Sequence, residues 1–336
     1  MKLATLKSAS RDGQLIVVSK DLQRYLLADK IAPTLQYAIE HWPEASKALQ
    51  SLVTQLNDDP QSGLPLRTEL LASPLPRAYQ WLDGSAYLSH VKRVRKARGA
   101  EMPLSFLSDP LMYQGASDHF IGPNDPIAMS SEDWGIDFEA EVCVITDDVP
   151  MGVSEEEAAT HVVLVLLTND VSLRKLIPAE LAKGFGFIHG KPANAFSPVA
   201  VTLDELGEHW RDGKLHCPLC SYRNDQLFGN PDAGQDMQFN FHQLIAHAAK
   251  TRHLSAGTII GSGTVSNEDA GRGYACVLEK ILVEILTNGK AETEFLHFGE
   301  RVRIEMLDHQ GNNLFGSIEQ KIEKPCSQQY SQKNSE

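Results

Sequence analysis

The 336-residue sequence has no run of about 20 apolar residues, so nothing in it reads as a membrane span. Its first residues, Met-Lys-Leu-Ala-Thr-Leu-Lys-Ser, lack the apolar core of a signal peptide. Basic residues are in deficit, with 31 Lys+Arg against 44 Asp+Glu and a net charge of −13. That sign excludes nonspecific nucleic-acid binding and disfavours attachment to anionic membranes. Cysteine is scarce. Cys143, Cys217, Cys220, Cys276 and Cys326 are odd in number and scattered, which excludes a disulfide framework and suits a reducing, cytoplasmic setting. Nucleotide fingerprints are missing too. Gly261-Ser-Gly-Thr264 has no Gly-x-Gly-x-x-Gly spacing, and in Gly184-Phe-Gly-Phe-Ile-His-Gly-Lys191 a proline follows where a P-loop needs Ser or Thr. Cys217-Pro-Leu-Cys220 lacks the second cysteine or histidine pair of a structural zinc site, so it reads as two cysteines at a hairpin. A zinc-knuckle interaction protein built on that pair is the non-enzymatic alternative.

What is present is an ordinary soluble composition, 42% hydrophobic and 22% charged, over a length that allows one large domain plus a small one. Residues 1–20 read as a hairpin turning at Arg11-Asp12-Gly13, and residues 33–57 carry helix-period apolar positions. These form a small N-terminal domain, 1–75, joined through Ser73-Pro-Leu-Pro76 to a strand-rich remainder, 76–323. A helix is expected from about Ala86 to Arg98, and short strands at 197–202, 213–223, 257–265, 273–286 and 301–306. Asn288-Gly289 and Gln310-Gly311 fit hairpin turns. Residues 324–336 are polar and aperiodic, a disordered tail by composition.

The most informative stretch is Ile136-Asp-Phe-Glu-Ala-Glu-Val-Cys-Val-Ile145. As a strand it puts Phe138, Ala140, Val142 and Val144 on one face and Asp137, Glu139 and Glu141 on the other. In so acidic a chain a solvated face is the commoner source of such a pattern. If the strand is core, two carboxylates held roughly 7 Å apart repel and lose water, and a hard divalent cation relieves both penalties. Asp170 follows the buried run Val162–Leu167, where the ordinary reading is a turn or N-cap. Asp83 precedes a Gly-Ser turn, and seven residues on His90 shares a helix face with Tyr87, Val91 and Val94. Such a histidine is more often a satisfied core residue than a catalyst. Glu279 lies in a mostly apolar, strand-like run, where the bland reading is an edge-strand Glu in water. The basic run Lys92–Arg98 reads as a solvated helix face, with room for one Arg to turn toward an anionic substrate.

Together and in order, these motifs resemble the fumarylacetoacetate hydrolase family over about residues 74–320. Carrying the resemblance are Asp83 with His90, Asp137-Phe-Glu-Ala-Glu141, Thr168-Asn-Asp-Val-Ser-Leu-Arg174, Gly190-Lys191 with Ser197-Pro198, Gly261-Ser-Gly-Thr264 with Glu279, and Met112-Tyr-Gln-Gly115. It implies an α+β fold, a mixed β-roll or β-sandwich with a small N-terminal β/α domain, and a homodimer. It also implies one Mg2+ or Ca2+ per chain held by Asp83, Glu139, Glu141 and Asp170. By the same likeness His90 is the general base, oriented by Glu279. Lys191 and Arg174 stabilise an oxyanion, and Tyr113, Thr264 and Tyr87 meet the substrate. The implied activity is metal-dependent hydrolysis of a C–C bond in a small anionic 2,4-dioxo acid such as fumarylacetoacetate. The alternative within the family is isomerisation or decarboxylation of hydroxy-dienedioates. Three departures concern the substrate rather than the metal. Ile177 stands where the family's fumarylacetoacetases carry Gln, Ser85 where they carry Tyr, and the Lys191–Ser197 spacing is one residue short.

Overall fold

The acidic strand lies in the middle of the molecule, because its neighbours in sequence are too apolar to be anywhere else. In the computed structural model, which describes residues 1–97 and 101–325, Ala140–Thr146 is buried along its whole length. It pairs antiparallel with Val162–Asn169 on one side and with Ile259–Gly261 on the other. Ile259–Gly261 then pairs parallel with Trp81–Gly84, which is followed by Met112–Gln114. In the other direction Val162–Asn169 meets Ala200–Val201, which meets Lys2–Leu6, and the sheet continues through Gln14–Val18, Arg24–Leu27 and Leu64–Pro65. A second sheet runs Gln226–Gly229, Leu219–Arg223, Arg301–Met306, Ile318–Glu323 and Ile127–Ala128.

Alternation along the acidic strand assigns the two sides of the main sheet. Phe138, Ala140, Val142 and Val144 enter an apolar core shared with Leu219, Ile304 and Ile318 of the second sheet. Cys143 and Ile145 point the other way, into a core with Leu3, Leu15, Val17, Leu35, Ile39, Leu49 and Leu56. The N-terminal hairpin and its helices, Leu35–Glu40 and Trp42–Asp58, therefore cover the same sheet face that carries the acids farther along. No helix among the described residues is long and apolar enough to cross a membrane.

Several local expectations change. The acidic segment is two strands: Ile136–Asp137 pairs with Ser172–Leu173, and the ladder resumes at Ala140. The helical region 33–57 breaks at His41, ahead of a proline in the first turn of the second helix. The 273–286 region is not a strand but the helix Val277–Asn288, and Gly289 is its left-handed C-cap at φ +75° rather than a hairpin residue. Val-Leu-Glu-Lys-Ile-Leu-Val-Glu-Ile-Leu is apolar at both periods, so periodicity alone does not separate helix from strand. The 197–202, 213–223 and 257–265 regions are strand only in short pieces. Cys217 lies between the strands Lys214–Leu215 and Leu219–Arg223 rather than in a hairpin turn, and its thiol donates to the Leu307 carbonyl at 3.1 Å. The expected helix to Arg98 is seen as Leu88–Ala97, and Arg98 lies outside the described residues. Most of the expected tail, 326–336, also lies outside them.

Candidate active site

Three chain segments deliver three carboxylates to one point. Asp83 is in the strand Trp81–Gly84, in register with Gly261 of its parallel neighbour. A Cβ at Gly261 would come within 2.5 Å of the Asp83 carboxylate, so the absence of a side chain there leaves the acid its place. Glu141 is cross-strand partner to Thr168, and Asp170 follows where Val162–Asn169 ends. One oxygen from each of Asp83, Glu141 and Asp170 lies within 4.8 Å of the others, and all three residues are buried. Both Glu141 oxygens and Asp170 Oδ1 have no hydrogen-bond partner. Burial first, then mutual repulsion, pushes the Asp83 and Glu141 carboxyls well above the usual carboxylate range. Unpaired, dehydrated oxygens converging from rigid strands form a donor set that fits a hard divalent cation.

Glu139 stands apart from this trio. Its Oε1 accepts from Ser172 at 2.9 Å and Lys191 at 3.2 Å, and the Arg174 Nη2 lies 2.6 Å away as an ion pair. Its Oε2 accepts from Thr264. Burial alone would raise the Glu139 pKa, but Arg174 and then Lys191 outweigh it and hold the group below the usual range. Lys191 also reaches Asp170 Oδ2 at 2.5 Å, and the Tyr113 hydroxyl donates to the same oxygen at 2.6 Å. Burial would lower the Lys191 pKa, yet Asp170 and Glu139 raise it, so the ammonium stays charged.

The third component is a dyad. His90 Nδ1 lies 2.6 Å from Glu279 Oε2, across the contact between the helices Leu88–Ala97 and Val277–Asn288. Arg93, one turn beyond His90, pairs with Glu279 Oε1, and the Ser266 hydroxyl donates to that oxygen at 2.9 Å. Burial would raise Glu279, but the bond and charge of His90 and the charge of Arg93 hold it low, so it is a carboxylate. With Nδ1 committed, Nε2 is the histidine nitrogen left for chemistry, and His90 lines a cavity of about 170 Å3. Asp83, Tyr113, Glu139, Arg174 and Lys191 line it too, with Ile177 and Phe187 as apolar walls.

All the expected site residues therefore converge on one region, but not in equal roles. Asp83, Glu141 and Asp170 cluster, whereas Glu139 is saturated by cations and hydroxyls. Tyr87 lines the cavity, but its hydroxyl donates to the Ala233 carbonyl at 2.5 Å. Thr264 bonds Glu139. Cys217 and Cys220 join no group of three donors among the described residues. Sequence reading missed Arg93, Ser266, Ser172 and the bonding of Asp137. Arg93 had a signal, since it is three residues after His90 on one helix face. Ser172 stands in the Thr168–Arg174 motif, which assigned it no role, and Ser266 had no signal. Glu279 reaches the site from a helix, not from the expected strand.

Known proteins resemble the chain in sequence and in fold. Residues 80–323 match the family described as "Fumarylacetoacetate (FAA) hydrolase C-terminal", and residues 1–77 match "Fumarylacetoacetase N-terminal domain 2". A 2,4-didehydro-3-deoxy-L-rhamnonate hydrolase of Sphingomonas sp. (strain SKA58) is 28% identical over 212 residues, 60% of this chain and 71% of that protein. A mitochondrial oxaloacetate tautomerase of Xenopus laevis is 29% identical over 160 residues, 46% of this chain and 47% of that protein. The crystal structure of a maleylpyruvate hydrolase from Sphingobium sp. SYK-6, in complex with manganese (II) ion and pyruvate, superposes with a TM-score of 0.64 at 15% identity. That match covers 97% of this chain and all of the other.

Proposed function

Because the chain belongs to the fumarylacetoacetate hydrolase family, we propose that it is a divalent-metal hydrolase cleaving a C–C bond in a small anionic 2,4-dioxo acid such as fumarylacetoacetate. The observation that carries the reading is His90, hydrogen-bonded to the Glu279 carboxylate, lining the same cavity as Asp83, which belongs to a buried carboxylate trio that leaves both Glu141 oxygens and Asp170 Oδ1 without a partner. Asp83, Glu141 and Asp170 would hold the cation, with Glu139 beside them. When bound, the metal supplies Lewis acidity toward the dioxo oxygens. His90 Nε2 takes a proton from water, whose oxygen adds to the carbonyl carbon. The C–C bond then breaks, its electron pair goes to the departing enolate, and His90 returns the proton to it. Glu279 keeps Nδ1 protonated and stabilises the imidazolium. Lys191 and Arg174 place fixed positive charge beside the developing oxyanion, a contribution of about 3 kcal/mol per donor in comparable sites.

Tautomerisation or isomerisation of an oxo acid is the second reading. It needs the same base and no water, and Ile177 favours it by placing an alkyl group in the cavity wall. The two readings separate by ultraviolet assay of fumarylacetoacetate and a panel of oxo acids. The protein is stripped with chelator and reloaded with Mg2+, Ca2+ or Mn2+. Hydrolysis gives two acids and loss of the dioxo chromophore, whereas tautomerisation interconverts keto and enol with no new acid. His90→Ala should retain the metal and lose activity by about 100-fold or more. No turnover of any oxo acid by the reloaded protein would reject both readings.

A further inference from the structure

The trio, the dyad and the cationic pair come from different parts of the chain, and the site works only if their spacing is held. One fully buried side chain touches the elements that carry two of them. Asp137 Oδ1 accepts from the Val277 amide at 2.7 Å, and its Oδ2 accepts from the Leu278 amide at 3.0 Å. Oδ2 also accepts from Arg174 Nε at 2.8 Å. The first two bonds cap the helix that presents Glu279 in its first turn. The third orients Arg174, whose other end lies against Glu139.

The geometry points to Asp137 as a positioning residue that fixes the His90–Glu279 dyad relative to Arg174 and Glu139. It rests on the functional reading above only for its effect on rate. Asp137 does not line the cavity, so it acts through its partners. Local sequence explains why a distant acid is used. The helix N-cap is Cys276, and its sulfur accepts a long bond from the Glu279 amide, at 3.4 Å, but none from the Val277 or Leu278 amide. A thiol is a weak acceptor, so the Val277 and Leu278 amides would be orphaned in a buried setting without an outside carboxylate. A carboxyl that accepts from two helix amides and a guanidinium also suits the positive end of the helix and Arg174 together. A capping serine at 276 would satisfy one local amide but would leave Arg174 without its anchor.

The test is Asp137→Asn. An amide in that place must turn its NH2 group against either the Val277 N–H or the Leu278 N–H and Arg174, so at least one bond is lost whichever way it flips. In the metal-loaded protein, kcat should fall by about 10- to 100-fold, while KM and metal affinity stay within about threefold. In a Glu279→Gln background the same change should cost less than about threefold, because partners in one network are not additive. The dyad can also be read without substrate. In the Mg2+-loaded protein the downfield NMR resonance of the His90 Nδ1 proton, assigned by its loss in His90→Gln, should shift or broaden in Asp137→Asn. Val277→Pro provides a second variant should Asp137→Asn not fold. Proline is tolerated at the first helical position and deletes only the amide that Oδ1 accepts, so the resonance should move the same way. A full-sized rate loss in the Glu279→Gln background, or an unmoved resonance in the variant that folds, overturns the proposal. Absence of any oxo-acid turnover would reject the functional reading and leave the resonance still deciding this one.

Discussion

Glu139 and Glu141 are two residues apart on one face, and their surroundings make them different groups. Glu139 is bonded at both oxygens and held low, whereas both Glu141 oxygens are buried without a partner and the group is pushed up. Glu141→Gln should therefore leave the metal-free protein as stable as before or more so, because it removes a repelled charge. The change should abolish the rise in melting temperature expected on adding Mg2+ or Mn2+. Thermal melts of both proteins with and without metal check this, and retained metal stabilisation would exclude Glu141 as a ligand. A pH dependence follows from the same groups. Asp83 and Glu141 have folded pKa values raised above those of unfolded carboxyls, near 4. The metal-free fold is thus favoured below that range and loses stability as pH rises through the raised values. A cation replaces those protons, so the melting-temperature gain on adding metal should widen from pH 5 to pH 8. A constant gain would mean that these carboxyls are ionised without the ion.

At the level of elements, one side chain clasps the loop before Lys191. Glu180 accepts from the amides of Ile188, His189 and Gly190 at 2.9, 2.8 and 2.9 Å. Beyond this clasp Phe185 is wholly exposed, while Phe187 packs edge-on against Tyr113 with ring centroids 5.1 Å apart. Glu180→Ala should free the loop, speeding proteolytic cleavage near Phe185 and lowering activity while leaving metal binding intact. Limited proteolysis with mass spectrometry is the check, and an unchanged cleavage rate would show that the clasp is dispensable. The dyad helix shows where reading the sequence fails. An unbroken apolar run fits either period, and the decisive signal, an Asp 140 positions earlier capping its N-terminus, is invisible in local sequence. The strand Arg301–Met306 and the helix around His90 were legible because each has one dominant pattern.

On the scale of the whole molecule, the N-terminal segment shares structure with the rest. Its first strand pairs with Ala200–Val201 within the main sheet, and Leu3, Leu15 and Val17 pack with Cys143, Ile145, Leu164 and Leu166. Deleting residues 1–77 should expose that core and an unpaired sheet edge, so residues 78–336 alone should aggregate. A soluble fragment with a cooperative melt would show that the two parts fold independently. By itself the sequence determined the chemical cast: the acids, the histidine, the lysine and arginine, and the alternation that sets Glu139 and Glu141 on one face. Those follow from residue identity and from the two-residue period of a strand. Tertiary structure alone decided which carboxylates stay unpaired, which are neutralised, and that Arg93 and Asp137 brace the dyad. Such outcomes depend on burial and on partners from distant segments, and neither is written in the neighbourhood of any one residue.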